Sequence, residues 1–168
     1  NPKVLDLCAG SGCIGISIAK DYPDSAVVLL EKYEEAKRYI DQNIALNNAH
    51  NTFAILGDVF EGTANGEKYD LIVSNPPYIP PSEMDIISPE TRFEPETALI
   101  GGEDGLLFYR AIIENYKNSL KDGGMLAFEV GINEAEAVKS CLSDNGFAKI
   151  TITKDLNGID RVVAAIKE

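Results

Sequence analysis

The chain has 168 residues, is 45% hydrophobic and 25% charged, and carries 27 acidic against 15 basic side chains for a formal net charge of -12. That length suits one globular domain, and that charge argues against a broad basic surface for nucleic-acid backbone. No apolar run is long enough to span a membrane, and the odd count of three cysteines (Cys8, Cys13, Cys141) beside a single histidine, His50, lacks zinc-ribbon spacing. A reduced, cytoplasmic chain without a structural metal is expected. Asn1-Pro2-Lys3 leads almost at once into a strand, so the sequence reads as a fragment and its lack of a targeting signal carries little weight.

Lys3 to Cys8 is a short apolar strand that enters Ala9-Gly10-Ser11-Gly12-Cys13-Ile14-Gly15, and helical spacing follows from Ile14 to Lys20. Strand, glycine turn and helix form the first half of a nucleotide-binding βαβ unit. Gly10, Gly12 and Gly15 satisfy G-x-G-x-x-G, a weak signal alone, because a purely structural βα turn is equally glycine-rich. The helix start offers free N–H groups to a ligand. Ala26 to Leu30 is the next strand, with Glu31 at its carboxyl end. An acidic residue about 20 positions after the glycine turn is placed for a pair of ribose hydroxyls; opening the next helix is the plainer alternative.

Glu34 to Leu46 is helical, with Ala36, Ile40 and Ile44 on one face. Thr52 to Leu56 is a third strand, followed by Gly57-Asp58-Val59-Phe60. Asp58 could bond an adenine amine while Val59 covers the ring; a solvated turn is as good a reading of that pair by itself. Tyr69 to Val73 is a fourth strand, stopped by Ser74-Asn75-Pro76-Pro77-Tyr78. Two prolines fix φ at both positions, and a proline drives its predecessor toward extended backbone. Asn75 is thus a polar side chain on a stiff strand end. Its amide oxygen and the Pro76 carbonyl could accept both hydrogens of a planar NH2 group, with Tyr78 covering it. Asn-Pro also simply begins turns.

Ile79 to Asp104 is long, proline-rich and without clear periodicity, which in compact domains marks a functional or mobile loop. Leu106 to Leu120 reads as a helix, Met125 to Val130 as a strand, Asn133 to Ser143 as a helix, and Phe147 to Thr153 and Arg161 to Ile166 as strands. Five strand–helix alternations followed by two directly joined strands predict one three-layer α/β domain over residues 1–168. Its seven-stranded sheet is expected to be mostly parallel, with an antiparallel last strand.

Together, DLCAGSG at 6–12, Glu31, GD at 57–58 and NPPY at 75–78 resemble the successive motifs of Rossmann-like class I S-adenosylmethionine-dependent methyltransferases. RFEPETALIGGEDGLLFYR at 92–110, MLAFEVG at 125–131 and KDLNGIDRVV at 154–163 resemble, more specifically, the protein-glutamine methyltransferases of the HemK/PrmC type. The likeness covers essentially the whole chain. It implies methyl transfer to the side-chain amide of the glutamine in the Gly-Gly-Gln motif of peptide chain release factors. It implies that Asp6, Cys8, Ala9, Gly10 and Gly12 hold the methionine end of S-adenosyl-L-methionine (and of its product, S-adenosyl-L-homocysteine). Glu31 and Lys32 would lie at the ribose and Asp58 and Val59 at the adenine. Asn75, Pro76, Pro77 and Tyr78 would hold the substrate amide. No metal, membrane or nucleic-acid substrate is implied. Two departures stand out: the family's amino-terminal helical docking domain is absent from the chain, and Asn133-Glu134 stands where the family often has a Gln. A ribosomal-protein glutamine methyltransferase, a nucleic-acid amine methyltransferase, a nicotinamide oxidoreductase and a silent binding module are the competing readings.

Overall fold

The computed structural model describes residues 1–62, 66–85, 87–88 and 91–168. Alternating apolar residues decide how its layers form. In the first strand, β1 (Lys3–Leu7), Val4 points to one face and Leu5 and Leu7 to the other, all of them buried. Val27 and Leu29 alternate in the same way with Val28 and Leu30 in β2 (Ala26–Glu31). Such strands need cover on both faces.

One face is covered by α1 (Cys13–Asp21) and α2 (Glu34–Asn47), which set Ile16, Ala19 and Ile40 against Val4, Val27 and Leu29. The other is covered by α3 (Leu107–Tyr116) and α4 (Ala135–Asp144), whose Tyr109, Ile112, Tyr116, Val138 and Leu142 pack on Leu5, Leu7, Ile72, Leu126 and Phe128.

With β3 (Thr52–Leu56), β4 (Tyr69–Ser74), β5 (Leu120–Glu129), β6 (Phe147–Lys154) and β7 (Asp160–Lys167), the sheet order is β3-β2-β1-β4-β5-β7-β6. β1 to β5 pair in parallel, and β7 runs antiparallel between β5 and β6. The predicted three-layer, mostly parallel sheet with an antiparallel last strand is therefore the observed one.

Strand–helix alternation occurs four times rather than five: among the described residues no helix separates β3 from β4. The predicted helix to Leu120 ends at Tyr116. A 3-10 turn spans Lys117–Ser119, and Leu120 is already paired with Tyr69. The register jumps there to Leu71 with Met125, so Lys121 to Gly124 bulge out of the ladder, with Gly123 at φ 78°. The segment 79–104 holds 3-10 turns at Pro81–Glu83, Thr91–Phe93 and Glu96–Ala98 and a bridge between Ile79 and Ile100.

Candidate active site

Register brings the singled-out residues to one rim. Leu7 lies beside Leu30 and Ser74, Glu31 beside Leu56, and Ser74 beside Phe128. The turns leaving β1, β2, β3 and β4 therefore open on the same edge of the sheet. The strand order reverses between β1 and β4, which is where ligands settle in open α/β sheets.

The glycine turn is built by main-chain bonds. Ala9 N–H donates to the Leu30 carbonyl at 3.1 Å and Gly12 N–H to the Ala9 carbonyl at 2.7 Å. Asn43 of α2 donates to the Ser11 carbonyl at 2.9 Å. Gly10 and Ser11 remain exposed. Gly12 has φ 80°, and a Cβ there would lie 2.9 Å from Leu29 Cδ2, so conformation and space both demand glycine. Even Cys8 is left-handed, at φ 55°. Burial pushes the Cys8 thiol up to about 12, against the Ser74 hydroxyl, which works the other way.

Asp6 is 1% exposed and lies behind the turn rather than in the open crevice. It shares the α1 face of β1 with Val4, and its Oδ2 accepts the Gly15 N–H at 2.8 Å. Burial raises its carboxyl to about 7; the Gly15 bond opposes the rise and the neighbouring Glu31 adds to it. Asp6 thus anchors the first turn of α1 and, through it, the glycine turn.

Glu31 is also buried, with both carboxylate oxygens bonded to main chain. Oε2 accepts from Gly10 N–H at 2.8 Å and Oε1 from Tyr33 N–H at 2.9 Å. Each oxygen keeps a second lone pair for a hydroxyl donor. Lys32 pairs with Asp58 at 2.8 Å, and Phe60 N–H donates to Asp58 Oδ1 at 3.0 Å. Burial works to raise Asp58, but the lysine and the amide outweigh it and hold the carboxyl below the usual range. Val59 is a core residue, 3% exposed, and packs inward with Leu30 and Tyr116. The exposed apolar surface next to Asp58 is instead Phe60, whose ring meets Phe108 at 5.0 Å. Asn115 of α3 donates to the Val59 and Phe60 carbonyls at 3.0 and 3.2 Å and fixes that turn.

At the end of β4, the Ser74 hydroxyl donates to the Leu7 carbonyl at 2.7 Å and ties the two strand ends together. Pro76 and Pro77 are buried and Tyr78 is half-buried, whereas Asn75 is exposed. Among the described residues the Asn75 amide has no hydrogen-bond partner. Burial raises the Tyr78 hydroxyl above its ordinary range. Behind Tyr78 lies a support not read from the sequence. Gly101 sits so close to the Tyr78 backbone that a Cβ would fall 2.5 Å from its Cα. Ile79 N–H donates to the Leu99 carbonyl at 2.8 Å and Gly101 N–H to the Ile79 carbonyl at 3.0 Å. The Gly101-Gly102 pair was the available signal: glycines in a loop often mark close backbone approach.

Among the described residues no three His, Cys, Asp or Glu side chains are grouped to hold a metal, and no helix is long and apolar enough to cross a membrane.

Comparison with known proteins adds the lineage. The chain is 41% identical over 162 residues to a release factor glutamine methyltransferase of Thermodesulfovibrio yellowstonii, covering 96% of this chain and 58% of that protein. It is 42% identical over 167 residues to one of Fusobacterium nucleatum, covering 99% and 47%. It therefore spans about half the length of such relatives. Its fold matches that of a methyltransferase from Pyrococcus furiosus with TM-score 0.73 at 20% identity, covering 99% of this chain and 75% of that one. The family model for the methyltransferase small domain matches residues 1–88, more than half of the sequence. The chain belongs to the methyltransferase small domain family.

Proposed function

We propose that this chain is the catalytic domain of an S-adenosylmethionine-dependent methyltransferase acting on the side-chain amide of the glutamine in the Gly-Gly-Gln motif of peptide chain release factors. The observation that carries the reading is the Asn75 amide: exposed, unpartnered among the described residues, and mounted on two buried prolines beside the glycine turn. The names of the relatives support the release factor as partner, and translation termination would put the enzyme in the cytoplasm.

The residues present suit S-adenosylmethionine. Exposed Gly10 and Ser11 offer main chain at the start of α1, and Cys8 and Ala9 shape the approach. Glu31 retains lone pairs for two hydroxyls. Asp58 can accept from an exocyclic amine, with Lys32 holding it ionised. Phe60, rather than Val59, supplies exposed apolar surface there. When bound, the cofactor supplies a methyl group already activated on a sulfonium.

What remains for the protein is alignment and electrostatics. An amide nitrogen is a poor nucleophile because its lone pair is delocalised into the carbonyl. The Asn75 Oδ1 and the Pro76 carbonyl accept from the substrate NH2 and draw density onto nitrogen. Those bonds strengthen as positive charge develops there, which stabilises the transition state. Pro76 and Pro77 stiffen the backbone that carries both acceptors, and Tyr78 packs beside the amide. Such orientation is worth ~7–11 kcal/mol in well-aligned systems. The product proton leaves to solvent.

The net charge of -12 weighs against a nucleic-acid amine as substrate. A ribosomal-protein glutamine is the nearer alternative, since the same amide chemistry would serve it. Mass spectrometry decides: incubation of a release factor with the protein and S-adenosylmethionine should add one methyl, on the Gly-Gly-Gln glutamine. Transfer to ribosomal protein or oligonucleotide alone would defeat the assignment.

A further inference from the structure

The Asn75 loop is braced by a carboxyl group that the proposed chemistry does not use. Glu134 precedes α4, and its Oε2 accepts the Gly131 N–H at 3.0 Å. The Tyr109 hydroxyl stands 3.3 Å from that same oxygen and 3.0 Å from the Glu129 carbonyl. One hydroxyl proton thus faces two acceptors.

Three chain segments converge on this carboxyl without room for a further side chain. A Cβ at Gly131 would lie 2.8 Å from Glu134 Oε2 and 3.0 Å from Tyr78 Cδ2. A Cβ at Gly105 would collide with Glu134 Oε1 and with the Tyr78 carbonyl oxygen. The Leu107 N–H, bonded to the Gly101 carbonyl at 3.0 Å, closes the same turn.

We propose that Glu134 is a positioning residue for the methyl acceptor: bonded to Gly131 and Tyr109 and flanking Gly105 and Gly131 together with Tyr78, it fixes the Asn75–Tyr78 loop against the 101–107 turn. The inference rests on reading Asn75 as the amide site.

The setting favours protonation of this carboxyl more than water does. Protonated, it can donate to the Tyr109 oxygen while Tyr109 donates to Glu129, so both short contacts become hydrogen bonds. Ionised, it faces the Tyr78 and Glu129 carbonyl oxygens and the carboxylates of Glu83 and Asp104. Among the described residues its hydrogen-bond donors are the Gly131 N–H and the Tyr109 hydroxyl. Arg161 is engaged elsewhere, donating to the Val130 carbonyl at 3.1 Å and pairing with Asp155 at 3.5 Å. Burial accordingly raises the Glu134 carboxyl above its ordinary 4.5, with Glu83 and Asp104 adding to the rise. A glutamine amide keeps both bonds, its oxygen accepting from the Gly131 N–H and from Tyr109, and never ionises.

The test uses the protein with Glu134→Gln and Glu134→Ala. Hydrogen exchange is followed at the Ile79 and Gly101 amides, with the Asp6-bonded Gly15 amide as reference. Glu134→Ala is expected to speed exchange at Ile79 and Gly101 at least tenfold and to leave Gly15 unchanged. Glu134→Gln should keep both amides protected as in wild type. In methyl-transfer assays kcat should fall for the Ala variant, with the KM for S-adenosylmethionine unchanged, and be retained by the Gln variant. If the Ala variant does not fold, Tyr109→Phe, which removes the hydroxyl bonded to Glu134, is read in the same way. Exchange at Ile79 and Gly101 indistinguishable from wild type in the folded variant overturns the proposal. The expected exchange pattern without any methyl transfer, wild type included, would sink the substrate assignment and leave the bracing role standing.

Discussion

Asp6→Asn isolates the electrostatic strain behind the glycine turn. In the unfolded chain this carboxyl titrates near 3.8; buried beneath α1 it titrates at about 7. A folded pKa above the unfolded one means that the fold prefers the protonated acid. Its contribution is fully present below pH 3.8 and is lost as pH rises to about 7, where the folded protein too must ionise it. At about 1.4 kcal/mol per pKa unit, the whole rise corresponds to ~4 kcal/mol. An asparagine can still accept the Gly15 N–H and never ionises, but its buried NH2 brings a constant penalty of ~1–3 kcal/mol. The stability of Asp6→Asn minus wild type should therefore climb with pH, from a small deficit near pH 4 to a gain of about 1–3 kcal/mol at pH 8. Urea denaturation of both proteins from pH 4 to 8.5 measures it, and the shape of the difference curve is the test. A flat difference, or one that falls with pH, would refute the reasoning and mean that the ionised carboxylate is the form the helix start stabilises.

Asn75→Ala should leave the melting temperature nearly unchanged, because its amide is exposed and unpartnered among the described residues, while single-turnover methyl transfer falls roughly a hundredfold or more; near-normal turnover would make the motif a mere turn. Glu31→Ala strands the Gly10 and Tyr33 amides and should weaken S-adenosylmethionine binding by roughly 1–3 kcal/mol in calorimetry, with tighter binding of NAD counting against the assignment. Gly12→Ala sets a Cβ against Leu29, Ile16 and Ile40 at positive φ and should destabilise by about 1–3 kcal/mol in chemical denaturation. In thiol labelling at pH 8, exposed Cys13 should react well ahead of Cys8, whose thiol is held at about 12; equal rates would contradict that burial.

Much of this was legible because strand ends are written in local chemistry. Gly10, Gly12 and Gly15 specify a turn, Glu31 and Asp58 fall at their strands' carboxyl ends, and Pro76-Pro77 stop β4. Less legible was what those groups touch. Whether Glu31 faces solvent or the Gly10 amide depends on how β1 and β2 register, which no single segment encodes. Val59 reads as cover for an adenine ring beside Asp58, but it is buried in the core it shares with α3, whose Asn115 holds its carbonyl. The helix ending at Tyr116 reads longer in the sequence because Leu120 keeps helical spacing from Ile113 and Tyr116, while pairing of Leu120 with Tyr69 is a tertiary event. The bracing of Tyr78 by Gly101, Gly105 and Glu134 joins residues far apart in sequence, so no periodicity could announce it.

The placement of β7 bears on how the chain reaches its final form. The last strand, Asp160–Lys167, lies between β5 and β6 and is bonded to both. During vectorial synthesis β1 to β5 can assemble into a parallel sheet as they emerge, but β6 has no partner until β7 is complete. Until then β5 presents an unpaired edge, a template for association with other chains. Closing the sheet thus waits for the eight residues of β7. Nascent chains stalled before Asp160 should keep the cofactor half of the domain and expose the β5 edge.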